Sequence, residues 1–253
     1  MNYTKLIRYG NNIEIFEYEL APPPHRRRIR KKDKEKPDEY KIFKKRKDNV
    51  LQAKRNFRRL VGANLSGEKP LLMTITYEEN MTDITIGYRD YKSFVQALRY
   101  RYGKEFNYIV VPEFQLRGAV HFHALFWSLH SPEVLLKERL TGYYRNVSPT
   151  LSKIWDHGFV FLKETDGHGK LSSYLAKYMA KAFVDRRLKN QKAYASSRNI
   201  QRPIIDTMIM PTLYQFVGEN DLPILDEKYP TRRMGQCHRR WFKTSQQNIE
   251  GVI

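Results

Sequence analysis

Apolar and polar residues alternate along the middle of the chain in a pattern that predicts both strands and helices. The short apolar runs typical of strands lie at 71–77, 107–114, 119–127 and 159–164. The apolar residues spaced as on one face of a helix lie at about 91–103, 132–140, 147–156 and 170–184. This order favours an α+β fold, in which helices pack mainly on one face of an antiparallel sheet.

Two of the predicted strands are close enough in sequence to form a hairpin. The runs at 107–114 and 119–127 are separated only by residues 115–118, and the last of these is Gly118. A short connection with a glycine near its end is typical of antiparallel pairing. We therefore expect these two strands to lie side by side.

The segments that flank this region have different patterns. Residues 13–20 are strand-like, and three prolines at 22–24 end that element. A basic segment follows, and its apolar residues over 40–65 have helical spacing. After residue 200, prolines break the pattern into short pieces with no assignable fold. The chain is thus divided into an N-terminal segment, a basic linker with an amphipathic helix, a folded domain and a C-terminal extension, at 1–24, 25–68, 69–200 and 201–253.

The charge of the chain indicates a polyanionic partner. Lys and Arg number 46 against 27 Asp and Glu, a formal charge of +19 with a pI near 9.9. Residues 26–59 alone hold 17 basic and 5 acidic residues, or +12. A solvated charged surface is the alternative, but the density and sign of the charge favour contacts with a DNA backbone. The residues predicted to make them are Arg26, Arg27, Arg28, Lys44, Lys45, Arg46, Arg58, Arg59, Arg99 and Arg101.

The sequence also argues against several classes of protein. No apolar run approaches the roughly 18 to 20 residues that span a bilayer, and the first twenty residues lack the apolar core of a signal peptide. A cytoplasmic protein with no membrane partner is expected. Cys237 is the only cysteine, so a disulfide framework and a Cys-rich zinc site are excluded. Any metal ligands must be His and carboxylate side chains. The chain has no GxxxxGK[ST] motif, so we expect strand separation to depend on another protein.

Three residues of the predicted hairpin have the chemistry of a metal site. His121 and His123 are two apart on a strand, so both imidazoles leave the same face. Glu113 on the partner strand is expected roughly opposite His121. A mixed set of imidazoles and a carboxylate suits Mn²⁺ or Mg²⁺. The alternatives are ordinary surface or core histidines, and an exposed glutamate that pairs with Arg117.

The predicted helix over 170–184 contains two overlapping Tyr-x-x-Lys units. Tyr174 and Tyr178 are four residues apart, as are Lys177 and Lys181. On a helix, residues with this spacing are neighbours on one face, which places two phenols side by side. Core packing is the commoner reason for such a pair of tyrosines when it occurs alone.

Taken in order, these motifs resemble those of a known enzyme superfamily. Residues 74–77 (TITY) in an early strand, His-hydrophobic-His in a later one and Tyr-x-x-x-Tyr-x-x-Lys in a helix resemble the rolling-circle replication initiators of the HUH endonuclease superfamily. Residues 155–158 (WDHG) resemble the Trp-x-x-Gly that precedes the tyrosine helix in these proteins. The resemblance covers about residues 70–185, and it is strongest to the two-tyrosine initiators of small single-stranded DNA phages, of the microvirus and gokushovirus type, and to those of rolling-circle plasmids.

The resemblance implies a fold, a reaction and a set of partners. The sheet would have RRM-like topology, and His121, His123 and Glu113 would bind Mg²⁺ or Mn²⁺. Tyr178 or Tyr174 would attack single-stranded origin DNA, assisted by Lys181 and Lys177, and form a 5′-phosphotyrosine with a free 3′-OH; Tyr178 is narrowly favoured as the first nucleophile. A host helicase and polymerase, in a bacterial or archaeal cell, would complete replication.

Two other functions remain open at this point. A transposase or a conjugative relaxase would use the same nicking centre, although small size and the absence of a helicase favour an initiator. A non-catalytic nucleic-acid-binding protein, in which the basic segments act and the histidines are incidental, is the alternative from another class.

Overall fold

A computed structural model describes residues 3–23, 39–65, 69–129, 136–140, 143–165, 170–188, 191–209, 217 and 221–243. The α-helices are α1 (Glu39–Gly62), α2 (Ile84–Tyr102), α3 (Pro149–Trp155) and α4 (Lys170–Val184). The strands up to residue 130 are β1 (Tyr3–Tyr9), β2 (Asn12–Tyr18), β3 (Leu71–Thr76), β4 (Asn107–Phe114) and β5 (Val120–Trp127). The later strands are β6 (Leu136–Leu140), β7 (Tyr143–Val147), β8 (Val160–Glu164), β9 (Ala195–Ser196), β10 (Ile204–Ile209), β11 (Leu225–Pro230) and β12 (Gln236–Lys243). Among these described residues, no helix is both long enough and apolar enough to cross a membrane.

The chain forms two compact units. The first unit consists of Met1–Asn49, Gly62–Ser66 and Gln201–Ile253, and the second of Val50–Val61 and Gly67–Ile200. Helix α1 contributes residues to both. Residues from the two ends of the sequence therefore belong to the same unit.

The first unit is an antiparallel sheet in the order β10-β1-β2-β12-β11. One face buries a cluster that includes Leu6, Ile15 and Phe242, and the other buries a cluster that includes Phe16 and Cys237. Alternate strand residues point to opposite faces, so a sheet that is covered on both faces needs apolar residues at consecutive positions. This is why β2 contains a continuous buried stretch from residue 13 to residue 16. The sheet includes the C-terminal residues to which the sequence pattern assigned no fold.

The second unit contains an antiparallel sheet in the order β6-β7-β8-β3-β5-β4-β9. The fold is therefore α+β with antiparallel sheets. Strand β5 is buried along its whole length, because it lies between β3 and β4 and is covered on both faces. The predicted hairpin is confirmed: Glu113 is paired directly opposite His121.

The helices of the second unit lie on both faces of this sheet. Trp155 at the end of α3 packs against Phe94 of α2 and Phe122 of β5. Tyr178 of α4 stacks on His123, whose side chain leaves the opposite face from Phe122 because the two residues are consecutive on a strand. Helices α2 and α3 therefore cover one face and form the core there, whereas α4 lies on the histidine face.

The predicted helices agree with the structure at three positions and fail at one. Helix α4 matches the prediction over 170–184, α3 falls within 147–156, and α1 falls largely within 40–65. The helix predicted over 132–140 is wrong for Leu136–Leu140, which forms strand β6 paired with β7; residues 132–135 lie outside the described part of the chain. A short apolar pattern fits a helix as well as a strand, and here pairing with β7 decides.

Helix α2 begins earlier than the sequence pattern indicates. The prediction started at residue 91, whereas the helix starts at Ile84, after Asp83 accepts hydrogen bonds from the backbone N–H groups of Thr85 and Ile86 at 2.7 and 3.4 Å. This is an N-cap, and it offsets the low helix propensity of the first turn. Gly87 in that turn allows close packing, since a Cβ there would lie 3.2 Å from Val120 Cγ1.

Candidate active site

The chemistry predicted for the hairpin lies at one end of strands β3, β5 and β4. His121 and His123 are both buried, with 6% of each residue exposed. Their ring centroids are 6.5 Å apart. Thr76 and Thr74 of β3 lie directly opposite them on the other side. The two imidazoles therefore share one face of the sheet, as their spacing predicted.

A chain of hydrogen bonds links these strands to helix α4. Glu113 Oε2 lies 2.8 Å from His123 Nε2, and Glu113 Oε1 accepts a hydrogen bond from Lys181 Nζ at 2.7 Å. On the other side of the ring, His123 Nδ1 is 3.3 Å from Thr74 Oγ1. Glu113 thus pairs with Lys181 and His123, and not with Arg117 as the alternative interpretation of the sequence proposed.

The hydrogen bonds fix the charge of Glu113 and the tautomer of His123. Burial acts to raise the pKa of Glu113, but the hydrogen bonds from His123 and Lys181 outweigh it and hold the pKa below its ordinary value. Glu113 is therefore a carboxylate at neutral pH. A carboxylate can only accept hydrogen bonds, so the proton of His123 is on Nε2, and in the neutral ring Nδ1 accepts from Thr74.

The two predicted nucleophiles lie beside this network. The ring of Tyr178 stacks on His123, with centroids 3.8 Å apart and an interplanar angle of 24°. Its hydroxyl is 3.0 Å from the hydroxyl of Tyr174. Lys181 Nζ lies 5.4 Å from the centre of the Tyr178 ring, within cation–π range. Tyr174, Tyr178 and Lys181 line the same groove, whereas Lys177 is exposed outside its lining.

The groove is open and large enough for an extended polymer. Its volume is about 1170 Å³, and its walls combine the histidines, Glu113 and the tyrosines with Arg117, Phe159 and Phe161. Arg117 donates hydrogen bonds to the backbone carbonyl oxygens of Tyr77 and Glu78, at 2.9 and 3.4 Å, and so holds the end of β3 against the hairpin turn. The sequence analysis assigned no site role to Arg117, Phe159 or Phe161. Their position could be recognised only from the pairing of β8 with β3.

The histidines and Glu113 have the chemistry of a divalent-cation site, and their present contacts determine what binding requires. Among the residues that the structure describes, no group of three or more His, Cys, Asp or Glu side chains is already arranged around a common point. Both oxygens of Glu113 are engaged, by His123 and Lys181. Two imidazoles and one carboxylate are suitable ligands for Mn²⁺ or Mg²⁺. The set therefore fits a cation on condition that Glu113 exchanges these hydrogen bonds for it.

The Trp-x-x-Gly motif supports the end of β3. Trp155 Nε1 donates to the carbonyl oxygen of Thr76 at 2.8 Å, and the Trp155 ring contacts Tyr77 at a centroid distance of 5.0 Å. Tyr77 in turn donates to Asp90 at 2.9 Å. Burial, followed by this hydrogen bond, raises the pKa of Tyr77 well above its ordinary value, so the phenol stays protonated. The motif therefore fixes the strand that lies beside the histidines.

Gly158 of this motif is required by close approach of the backbone. Its φ is +148°, and a Cβ there would lie 2.5 Å from both Glu78 N and Thr76 O. Substitution to alanine must therefore displace backbone atoms of the strand end. Gly103 also has a positive φ, of +86°, but a Cβ there would meet nothing within 4 Å.

We expect Gly158→Ala to destabilise the protein by on the order of 3 kcal/mol, because steric overlap adds to the cost of the backbone conformation. The matched variant Gly103→Ala carries only that conformational cost, about 1 kcal/mol. Urea denaturation of both variants, compared with the wild type, measures the difference. Equal losses of stability in the two variants would show that the contact at Gly158 is not limiting.

The predicted DNA-binding residues are dispersed. Arg26, Arg27 and Arg28 lie outside the described residues. Lys44, Lys45 and Arg46 lie within α1, and so do Arg58, which is exposed, and Arg59, which is buried and donates to Asn56 Oδ1 at 3.4 Å. The guanidinium that this pair presents to solvent is therefore that of Arg58.

Arg99 and Arg101 are not brought to the catalytic groove. They lie in the last turn of α2, close to the start of β4 at Asn107, whereas Glu113 is near the end of that strand. At about 3.3 Å per residue, the two ends are about 20 Å apart. Arg99 packs over Phe106 and Arg101 over Tyr102, at 6.0 and 5.7 Å from the ring centroids.

Comparison with known families agrees with the position of this site. Residues 70–183, somewhat less than half of the chain, match the model of a family of replication-associated proteins, the ORF2 family. The matched range contains strand β3, the hairpin with its histidines and both tyrosines of α4. The match supports a role in the initiation of replication. No curated protein and no solved structure matches the chain.

Proposed function

We propose that this protein is an HUH-type replication initiator that nicks single-stranded DNA at an origin with a tyrosine nucleophile. The observation that carries the proposal is the contact between Tyr178 and His123: the nucleophile helix is stacked on the predicted ligand strand, at a centroid distance of 3.8 Å, in an open groove. Core packing does not explain this pair of tyrosines, because Tyr174 is 38% exposed and both rings line the groove.

In the proposed reaction, the phenol oxygen of Tyr178 or Tyr174 attacks the phosphorus of the scissile phosphodiester. A P–O bond to tyrosine forms as the P–O3′ bond breaks; the phenol loses its proton, and the leaving 3′ oxygen gains one. One phosphodiester replaces another, so the step needs no ATP. The hydroxyls of the two tyrosines are 3.0 Å apart, so the second phenol is placed to attack the new junction and close the circle.

His121, His123 and Glu113 would hold Mg²⁺ or Mn²⁺, which would polarise the scissile phosphate and stabilise charge on its non-bridging oxygens. The other charged groups of the groove serve the substrate directly. Lys181, once released from Glu113, can neutralise a phosphate oxygen beside Tyr178. Arg117 keeps the end of β3 in place through its hydrogen bonds to backbone carbonyl groups.

The strand order supports the finer assignment of the fold. Within the second unit, β3, α2, β4, β5, α3 and β8 follow one another in the chain, and the strands lie in the order β8-β3-β5-β4. This is the arrangement expected of an RRM-like core, in which the first and third strands are central. We propose on this basis that the second unit is the endonuclease domain, with single-stranded origin DNA as substrate and a host helicase and polymerase as partners.

The direct test uses the whole protein, Mn²⁺ and labelled single-stranded oligonucleotides that tile the DNA flanking its own gene. We expect one oligonucleotide to be cleaved, with its label transferred to protein in a bond that survives denaturing electrophoresis. Binding without any adduct, in Mn²⁺ and in Mg²⁺, would instead favour the non-catalytic nucleic-acid-binding protein.

The contact of Lys181 with Glu113 predicts that this lysine opposes cation binding in the absence of DNA. We expect Lys181→Met to bind Mn²⁺ about threefold more tightly than the wild type, because a partly exposed ion pair of about 0.5–1 kcal/mol no longer competes for the carboxylate. A Mn²⁺ titration followed by electron paramagnetic resonance measures this without DNA.

Lys177→Met is the matched control, since it removes the same charge from the same helix outside the groove. Its Mn²⁺ affinity should stay close to that of the wild type. If the two variants bind Mn²⁺ equally well, Lys181 does not compete with the cation.

A further inference from the structure

Two aromatic side chains beside the catalytic groove have no role in the reaction described above. Phe159 precedes β8 and Phe161 lies within it, two residues apart, so both side chains leave the same face. Both are half-buried and line the groove. Their ring centroids are 6.3 Å apart, with an interplanar angle of 28°. The two rings therefore present a near-parallel pair to the groove instead of packing fully into the core.

We propose that Phe159 and Phe161 form a slot that stacks one unpaired base of the substrate strand. Stacked bases are about 3.4 Å apart, so a base held between two rings needs a separation of about 6.8 Å. The observed 6.3 Å is close to this value, and a small rotation of either ring supplies the difference. Stacking accepts any base, because every base has a π-face. The proposal rests on the proposed function, since it assigns a further part of the same substrate strand.

The position of the slot relative to the reacting groups follows from the sheet. Phe161 lies opposite Thr74, and Thr74 lies opposite His123 on the next strand. Neighbouring strands are about 4.8 Å apart, so Phe161 is about 10 Å from His123. This distance corresponds to about three stacked nucleotides. The base in the slot is therefore close enough to the scissile phosphate to set the register of the strand.

A smaller hollow continues from Phe161 with the chemistry that a nucleotide requires. It has a volume of about 340 Å³, and its lining includes Phe161, Tyr174, Asn146 and Lys163. Lys163 is exposed and supplies a positive charge for a backbone phosphate. The ring, the amide and the ammonium lie together within reach of one nucleotide.

The other exposed aromatic side chain considered for base stacking is Tyr100. It is 96% exposed, but it lies in the last turn of α2, about 20 Å along β4 from Glu113. It therefore provides a matched control: an accessible aromatic ring of the same unit, away from the groove.

The test measures binding of fluorescein-labelled single-stranded DNA by anisotropy in EDTA, so that no cleavage occurs. We expect Phe161→Ala to bind about tenfold more weakly, in the range that loss of one stacked base produces. Phe161→Leu, which keeps an apolar strand residue without a π-face, should lose nearly as much. Tyr100→Ala should bind as the wild type does.

Oligonucleotides with a single abasic residue, moved along the strand, identify the base in the slot. For the wild type, one position should weaken binding about tenfold, and the same abasic residue should have little further effect on Phe161→Leu. Unchanged affinity in Phe161→Leu, or equal effects of the abasic residue on wild type and variant, would overturn the proposal.

The two levels of inference fail in different ways. At saturating DNA with Mn²⁺, Phe161→Leu should form the covalent adduct at a rate close to that of the wild type, because the slot acts on binding. If no protein forms an adduct but the abasic scan still depends on Phe161, the nicking function is wrong and the base slot stands. If adducts form and the scan is independent of Phe161, the slot is wrong and the nicking function stands.

Discussion

Replacing both Tyr174 and Tyr178 with phenylalanine is expected to abolish the covalent protein–DNA adduct, a loss of at least about 10³-fold. The change removes only the two hydroxyls. Each ring keeps its shape, so the stacking of residue 178 on His123 is retained. Adduct formation is measured with labelled origin DNA on denaturing gels, and DNA affinity is measured by anisotropy. The predicted result is normal affinity without an adduct.

The single variants separate the roles of the two tyrosines. If Tyr178 attacks first, Tyr178→Phe should lose most of the initial nick, whereas Tyr174→Phe should still form one adduct but fail to rejoin the strand. Stacking on His123 favours Tyr178, as did the sequence by a narrow margin. An adduct formed by the double variant would show that neither residue is the nucleophile.

His121→Asn is expected to reduce nicking by at least about 10³-fold while leaving DNA affinity within about twofold of the wild type. His121 lies on the buried central strand, directly opposite Glu113, so its imidazole is placed to bind a cation but is remote from a phosphate-binding surface. Asparagine keeps a polar side chain of smaller size, which limits the loss of packing. Nicking is followed with Mn²⁺, and binding with EDTA.

Two further measurements show that the loss comes from the proposed ligand. The affinity for Mn²⁺ in the absence of DNA should fall in His121→Asn and remain in His238→Asn, a histidine of the other sheet that is bonded to Asp226 at 2.6 Å. Retention of nicking by His121→Asn would remove His121 from the ligand set. Loss of nicking with unchanged Mn²⁺ affinity would make it a structural residue.

The parts of the site that sequence could predict are those fixed by local periodicity. A period of two placed His121 and His123 on one face, a short turn placed Glu113 opposite, and a period near four placed Tyr174 beside Tyr178. These relations hold within one hairpin or one helix. They depend on few residues and little on the rest of the chain.

Relations between distant elements could not be predicted in the same way. The contact of Lys181 with Glu113 joins residues 68 apart, and the position of Phe161 depends on which strand lies beside β3. The first unit shows the same limit: β12 pairs with β2, so that Arg240 lies opposite Ile15 across more than 200 residues. Prolines near the C-terminus gave the pattern of short pieces, but pairing with the N-terminal strands makes those pieces a sheet.

Helix α2 and strand β6 show why local patterns also mislead. The first turn of α2 contains β-branched residues and Gly87, which lower helix propensity, but the cap at Asp83 and packing against β5 determine the outcome. Strand β6 is too short for its period to be distinguished from that of a helix, and its partner β7 decides.

The most direct test of the central claim is to locate the covalent bond between protein and DNA. Lys170, Lys177 and Lys181 allow trypsin to separate the two tyrosines, because Tyr174 falls in the peptide 171–177 and Tyr178 in the peptide 178–181. After reaction with origin DNA and nuclease digestion, mass spectrometry should find a nucleotide joined through its 5′-phosphate to one of these peptides, with 178–181 the expected site. Cleaved DNA with a free 5′-phosphate and no modified tyrosine, or a nucleotide on any other residue, would contradict the proposed mechanism.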